Sequence, residues 1–126
     1  MTDITTTVDT YLAAWNEEDP GRRAELVAAA WAADGRYVDP MFESTGHEAF
    51  GELAAGVHAG YPGARFRRTT AVDAHHDEVR FGWELVAADG STIVGGIDVG
   101  RVGPDGRLAT ITGFFGKLAG LEEVAA

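Results

Sequence analysis

Three groups able to donate or accept a proton stand in apolar company along this chain: Tyr11, Asp39 and Asp98. Tyr11 lies in Val8-Asp9-Thr10-Tyr11-Leu12-Ala13-Ala14-Trp15, Asp39 closes Tyr37-Val38-Asp39-Pro40, and Asp98 sits within Ile97-Asp98-Val99. An ionised carboxylate is too costly to bury in such surroundings unless it is paired, neutralised or used. Groups displaced from their ordinary titration are the usual material of proton-transfer sites. Removing a proton beside a carbonyl needs a base over the carbon and donors aimed at the oxygen where charge develops. A carboxylate suits the first task; a tyrosine hydroxyl and a neutral carboxylic acid suit the second. Each residue also has a plain structural reading. Asp-Pro starts turns, a tyrosine on an apolar helix face is often core with its hydroxyl at the edge, and Asp98 could be satisfied at a sheet edge or by Arg101.

The elements that must position these groups follow from periodicity. Ile4, Val8, Tyr11, Leu12 and Trp15 recur at helical spacing and predict a first helix. Asp19-Pro20 opens a second, with a cap residue before a proline at the first helical position, and Leu26, Val27, Ala30 and Trp31 form its apolar face. Asp34-Gly35 reads as a turn before a short strand over residues 36–39. Thr45-Gly46-His47-Glu48 reads as a capping box for a third helix, whose buried stripe is Phe50, Leu53, Ala54 and Val57. Strands follow over 66–74, 79–86, 93–102 and 108–115, with turns at His75-His76-Asp77, Asp89-Gly90 and Gly103-Pro104-Asp105-Gly106. Three helices followed by an antiparallel meander give an α+β fold, helices on one face of a curved sheet. Along the third of these strands Val94, Gly96, Asp98, Gly100 and Val102 share a face. Asp98, flanked by glycines, is expected to line a hollow.

Composition narrows the function classes. The 126 residues make one domain, spanning 1–126, large enough to bury a core. There is no cysteine, hence no thiol nucleophile or disulfide. The net charge of -10 opposes nucleic-acid binding. The one basic cluster, Arg65, Arg67 and Arg68, reads as a solvated strand edge. No signal peptide or membrane-length run is visible, so a cytoplasmic protein with no membrane partner is expected. His47 is expected to face solvent, His75 and His76 to sit at an exposed turn, and no spacing suggests a metal site. No cofactor is expected.

The order of elements resembles the nuclear transport factor 2-like superfamily, with its cone-shaped α+β barrel and deep apolar pocket. Within it the chain looks closest to the SnoaL-like polyketide cyclases and the steroid delta-isomerases. The stretch 8–16 is similar to the isomerase helix whose tyrosine donates to the substrate oxygen, a place held by Tyr11. Tyr37-Val38-Asp39-Pro40, followed by Gly46 and Phe50, is similar to the segment holding the isomerase base, matched by Asp39. Residues 97–102 are similar to the strand bearing a protonated aspartic acid, matched by Asp98. The resemblance implies a pocket for a small apolar ligand, lined by Trp15, Tyr37, Phe50, His58, Phe66, Trp83 and Phe114. It also implies a homodimer formed through the sheet, whose outer face should carry Ile93, Ile97 and Val99.

Three functions are compatible with this reading. One is acid–base chemistry on an apolar carbonyl compound, as in an isomerase or cyclase. Another is a non-catalytic pocket for a hydrophobic ligand. The third is water activation of the epoxide-hydrolase kind, which needs an arginine such as Arg80 or Arg101 between carboxylates.

Overall fold

The computed structural model describes residues 3–124. The longer helices are α1 (Ile4–Asn16), α2 (Pro20–Ala30) and, after two strands, α3 (His47–Gly60). The strands are β1 (Trp31–Val38), β2 (Glu43–Thr45), β3 (Arg65–Arg68), β4 (Asp73–His75), β5 (Glu78–Val86), β6 (Thr92–Val102) and β7 (Leu108–Phe115), and a short α4 (Leu121–Val124) closes the described chain. They form one sheet in the order β2-β1-β7-β6-β5-β3, with β4 also paired to β5. No helix among the described residues is long and apolar enough to cross a membrane.

The starts of α1 and α2 are set by side-chain caps. Asp3 accepts from the Thr5 N–H, and Asp19 accepts from the Arg22 N–H with Pro20 at the first helical position. The expected capping box of α3 does not form. Thr45 is consumed as the last residue of β2, opposite Arg36, and Gly46 is the cap residue at φ 94°, with no side-chain cap bond. His47, expected to face solvent, is half-buried and its Nε2 lies 2.7 Å from the Trp31 carbonyl oxygen, tying α3 to β1.

The sheet is mixed rather than wholly antiparallel: β1 runs parallel to β7. The strands of the meander are neighbours in sequence and pair antiparallel through tight turns. β1 pairs with a strand about seventy residues away, so its direction follows from the crossover and not from local turn chemistry. Trp31 also departs from expectation. It ends α2 in extended conformation (φ -114°, ψ 129°) and begins β1, which continues through Asp34-Gly35 with a register shift before Arg36. The expected strand over 66–74 is two short ones. Between them Thr69 and Thr70 bridge to Gly82, whose N–H donates to the Thr70 hydroxyl at 2.8 Å.

The core lies between the helices and the concave face of the sheet. Tyr11, Trp31 and Phe50 are at most 1 % exposed and pack ring against ring, with centroids 5.5–5.7 Å apart. Two polar side chains clamp the helices. Asn16 donates to the Phe66 carbonyl and accepts from the Phe66 N–H, at 2.8 and 2.7 Å, fastening α1 to β3. The buried Arg23 donates to the carbonyls of Glu17, Glu18 and Gly51, joining all three helices.

Candidate functional site

The helix face and the sheet do not close completely. They leave a cavity of about 330 Å³ whose floor and walls include Tyr11, Trp15, Tyr37, Asp39, Phe66, Trp83 and Asp98. Apart from the tyrosines and the two aspartates the lining is apolar or aromatic, the composition of small-molecule sites. Seven of the ten residues expected from sequence therefore meet there, coming from α1, β1, β3, β5, β6 and the turn after β1.

The remaining three do not. Phe50 has no exposed surface and stands behind the wall, packed on Trp15 at a ring separation of 4.8 Å. His58 turns to the seam between α1 and α3, where its Nε2 lies 2.8 Å from the Trp15 carbonyl oxygen. The cavity face of α3 is carried instead by Leu53 and Val57. Phe114 points out of the sheet, 58 % exposed, while Phe115 lines the cavity. Parity explains the exchange: Asp98 pairs with Gly113, so Gly113 and Phe115 share its face. The alternation Thr110-Ile111-Thr112 carries that signal in the sequence. Met41, Phe42 and Tyr61, joined by Ile93, form an apolar mouth, each at least 36 % exposed; Ile93, expected on the outer face with Ile97 and Val99, lines the cavity instead, because the β5–β6 register shifts between Leu85 and Val86 and breaks the alternation there.

Asp98 is the more deeply buried of the two carboxyl groups at the site, 5 % exposed in mid-β6. The Tyr11 hydroxyl donates to its Oδ2 at 3.5 Å. Burial pushes the Asp98 pKa up to about 7; the Trp83 indole and the Tyr11 hydroxyl pull against that rise, and the negative charge of Asp39 adds to it. Asp98 therefore exchanges its proton near neutrality. Burial, then the Asp98 charge, raises the Tyr11 hydroxyl well above its ordinary value, so it stays a donor. The two oxygens are close enough for one ligand atom to meet both.

Asp39 follows β1 at the cavity mouth. Its Oδ2 accepts from the Tyr37 hydroxyl at 2.7 Å, and its Oδ1 accepts the N–H groups of Met41 and Phe42 at 2.8 Å each. It is thus both a turn cap and a cavity group. Burial, then the bond to Asp39, raises the Tyr37 pKa and keeps that phenol protonated.

The glycines that bring these groups together are not the ones flanking Asp98. A Cβ at Gly96 would lie 1.9 Å from the Phe114 carbonyl oxygen, and one at Gly100 would lie 2.1 Å from that of Thr110. Those glycines admit the neighbouring backbone, not a ligand. The convergence is at Gly113 on β7, where a Cβ would lie 3.0 Å from Asp98 Oδ1, 3.4 Å from Asp39 Cβ and 3.6 Å from the Tyr37 hydroxyl.

Arg80 and Arg101 lie outside the cavity. Arg80 pairs with Asp73, and Arg101 pairs with Asp77 and Glu78. No arginine lines the cavity in the described chain, so the array needed for water activation is not assembled. No cluster of three or more metal-ligating side chains occurs among the described residues.

Comparison with known proteins agrees with this fold. The family model of the SnoaL-like domain matches residues 8–111. A SnoaL-like family protein from Agrobacterium tumefaciens, provisionally described as an isomerase, is 39 % identical, with a TM-score of 0.85 over 93 % of this chain and 100 % of its own. Two more distant structures share the fold. One, with a ketosteroid isomerase-like fold, comes from Catenulispora acidiphila and was solved with trimethylamine; it is 19 % identical, with a TM-score of 0.67 over 94 % of this chain and 88 % of its own. The other, from Jannaschia sp. CCS1, is provisionally described as a SnoaL-like polyketide cyclase; it is 17 % identical, with a TM-score of 0.64 over 91 % of this chain and 89 % of its own. No curated protein matches the chain.

Proposed function

The chain belongs to the SnoaL-like family, and within that family we propose that it is a cofactor-independent acid–base enzyme acting on a small apolar carbonyl compound. The observation that carries this reading is the 3.5 Å separation of the Tyr11 and Asp98 oxygens inside an apolar cavity. A carbonyl oxygen seated there would accept from the Tyr11 hydroxyl and from protonated Asp98. Asp39 would take the proton from the neighbouring carbon, leaving an enolate whose oxygen the two donors hold. Where a carbon–carbon double bond is conjugated with the enolate, return of the proton from Asp39 to the far carbon of that system completes an isomerisation; attack of the enolate carbon on a second carbonyl within the same molecule, with the proton passing from Asp39 to the new alkoxide, completes a cyclisation. The provisional descriptions of the Agrobacterium and Jannaschia proteins support the same pair of outcomes.

The test is proton exchange. In D2O the protein should introduce deuterium beside the carbonyl of an apolar ketone such as 1-tetralone, and Asp39→Asn should abolish that exchange with the fold intact by circular dichroism. An unchanged exchange rate in Asp39→Asn removes Asp39 from the mechanism.

One observation favours a second reading, a pocket that binds without turnover. Asp39 already accepts three hydrogen bonds, which leaves about one of its roughly four lone-pair sites for a proton. Measurable affinity for 1-tetralone with no deuterium incorporation would select this reading.

A further inference from the structure

The two oxygens of the Asp39 carboxyl group stand in different settings. Oδ1 is turned to the backbone of the turn after β1 and accepts the N–H groups of Met41 and Phe42, at 2.8 Å each. A carboxylate oxygen offers two lone pairs, so Oδ1 has none left. Oδ2 accepts one bond among the described residues, from the Tyr37 hydroxyl at 2.7 Å. The lone pair that stays free is therefore on Oδ2, the oxygen turned to a side chain that lines the cavity. Tyr37 is itself firmly held. It is 6 % exposed near the end of β1, and its ring meets Trp15 at a centroid separation of 5.3 Å and an angle of 63°. A Cβ at Gly113 would lie 3.6 Å from its hydroxyl and 3.0 Å from Asp98 Oδ1, so the phenol ends where the polar groups of the cavity converge.

We infer that Tyr37 is the positioning residue of the base: its hydroxyl fixes Asp39 Oδ2 as the atom that takes the proton and limits how tightly that atom holds it. In the transfer the C–H bond beside the ligand carbonyl breaks. Its proton passes to the free lone pair of Oδ2, its electron pair remains as the enolate, and Tyr37 keeps its own proton. A carboxyl oxygen free to swing samples other directions, and misalignment at a reacting atom costs rate. A hydrogen bond given to a carboxylate favours the charged form, so the carboxyl group binds a proton less readily with the Tyr37 hydroxyl than without it. The inference rests on the proton-transfer reading above and names the residue that aims its base.

The experiment compares the pH profile of 1-tetralone deuterium exchange in the wild type and in Tyr37→Phe, which keeps the ring against Trp15 and removes the hydroxyl. The titratable groups facing Asp39 are Tyr37 on β1 and Asp98 on β6, and no basic side chain lines the cavity in the described chain. The alkaline limb therefore belongs to Asp98, at about 7, and the acid limb to Asp39. In Tyr37→Phe the acid limb should move upward by about one pH unit and the maximal rate should fall about 10-fold, with the alkaline limb in place. An acid limb that does not move overturns the inference, and a fall in rate without that movement would assign Tyr37 to packing. The wild type gives a readout independent of the variant's folding. A base oxygen held at one point reaches one face of the ligand, so mass spectrometry should show one deuterium entering beside the carbonyl about 10-fold faster than the second. Equal rates for the two overturn the inference. A wild type that exchanges nothing overturns the proton-transfer reading, and the inference falls with it; a wild-type profile that Tyr37→Phe reproduces overturns the inference alone.

Discussion

Replacing Asp98 with asparagine isolates the cost of keeping a carboxyl group at the cavity floor. Asparagine matches the neutral acid in shape, and its amide oxygen can still accept from Tyr11. The wild-type group titrates at about 7 in the folded protein, against 3.8 for an ordinary aspartate. At 1.36 kcal/mol per unit, this displacement costs the folded state about 4 kcal/mol once Asp98 is fully ionised. The sign follows from which state binds the proton. Below 3.8 both folded and unfolded chains carry it, and the group imposes no penalty. As pH rises the unfolded chain ionises first, and the folded protein loses stability until its own group has ionised above about 7. The asparagine amide has no such titration. The stability advantage of Asp98→Asn over wild type should therefore grow by about 2 kcal/mol between about pH 5.5 and about pH 8, a range chosen to stay above the isoelectric point of 4.6. Urea denaturation of both proteins at several pH values measures this directly, because other titrating groups cancel in the difference. Parallel stability curves would refute the reasoning, since they would mean that Asp98 titrates alike in folded and unfolded chains.

Two further outcomes follow from geometry. In Gly113→Ala the new methyl group would sit 3.0 Å from Asp98 Oδ1; ketone deuterium exchange should fall about 10-fold while stability changes by no more than about 2 kcal/mol, and undiminished exchange would show that the carboxyl groups need no such clearance. The outer sheet face exposes Ile97, Val99 and Phe114, at 46, 39 and 58 %, and is proposed to pair two copies of the chain; sedimentation should give a dimer mass for wild type and a monomer mass for Ile97→Glu, and a wild-type monomer at micromolar concentration would contradict it.

Local rules made much of this protein readable in advance. Helical spacing located α1 and α2, and Asp19-Pro20 marked the start of the latter because a side-chain cap and a fixed φ act over a few residues. Strand parity placed Asp98 inside and Ile97 and Val99 outside, because alternation along an extended chain is a property of the backbone. The capping box failed where tertiary demand took Thr45 into β2. Phe114 was assigned to the wrong face because two adjacent phenylalanines do not disclose parity, whereas the pairing of Asp98 with Gly113 does.

The sequence by itself determined that Tyr11, Asp39 and Asp98 are out of place as ordinary surface groups, and which elements carry them. Only the tertiary structure decided that Tyr11 meets Asp98, that Asp39 meets Tyr37 instead, and that Gly113 is the gap through which they converge. Pairing across 87 residues between Tyr11 and Asp98 is set by how the helices close on the sheet. The burial that raises Asp98 is likewise a product of the packed volume around it, a quantity that no stretch of neighbouring residues contains.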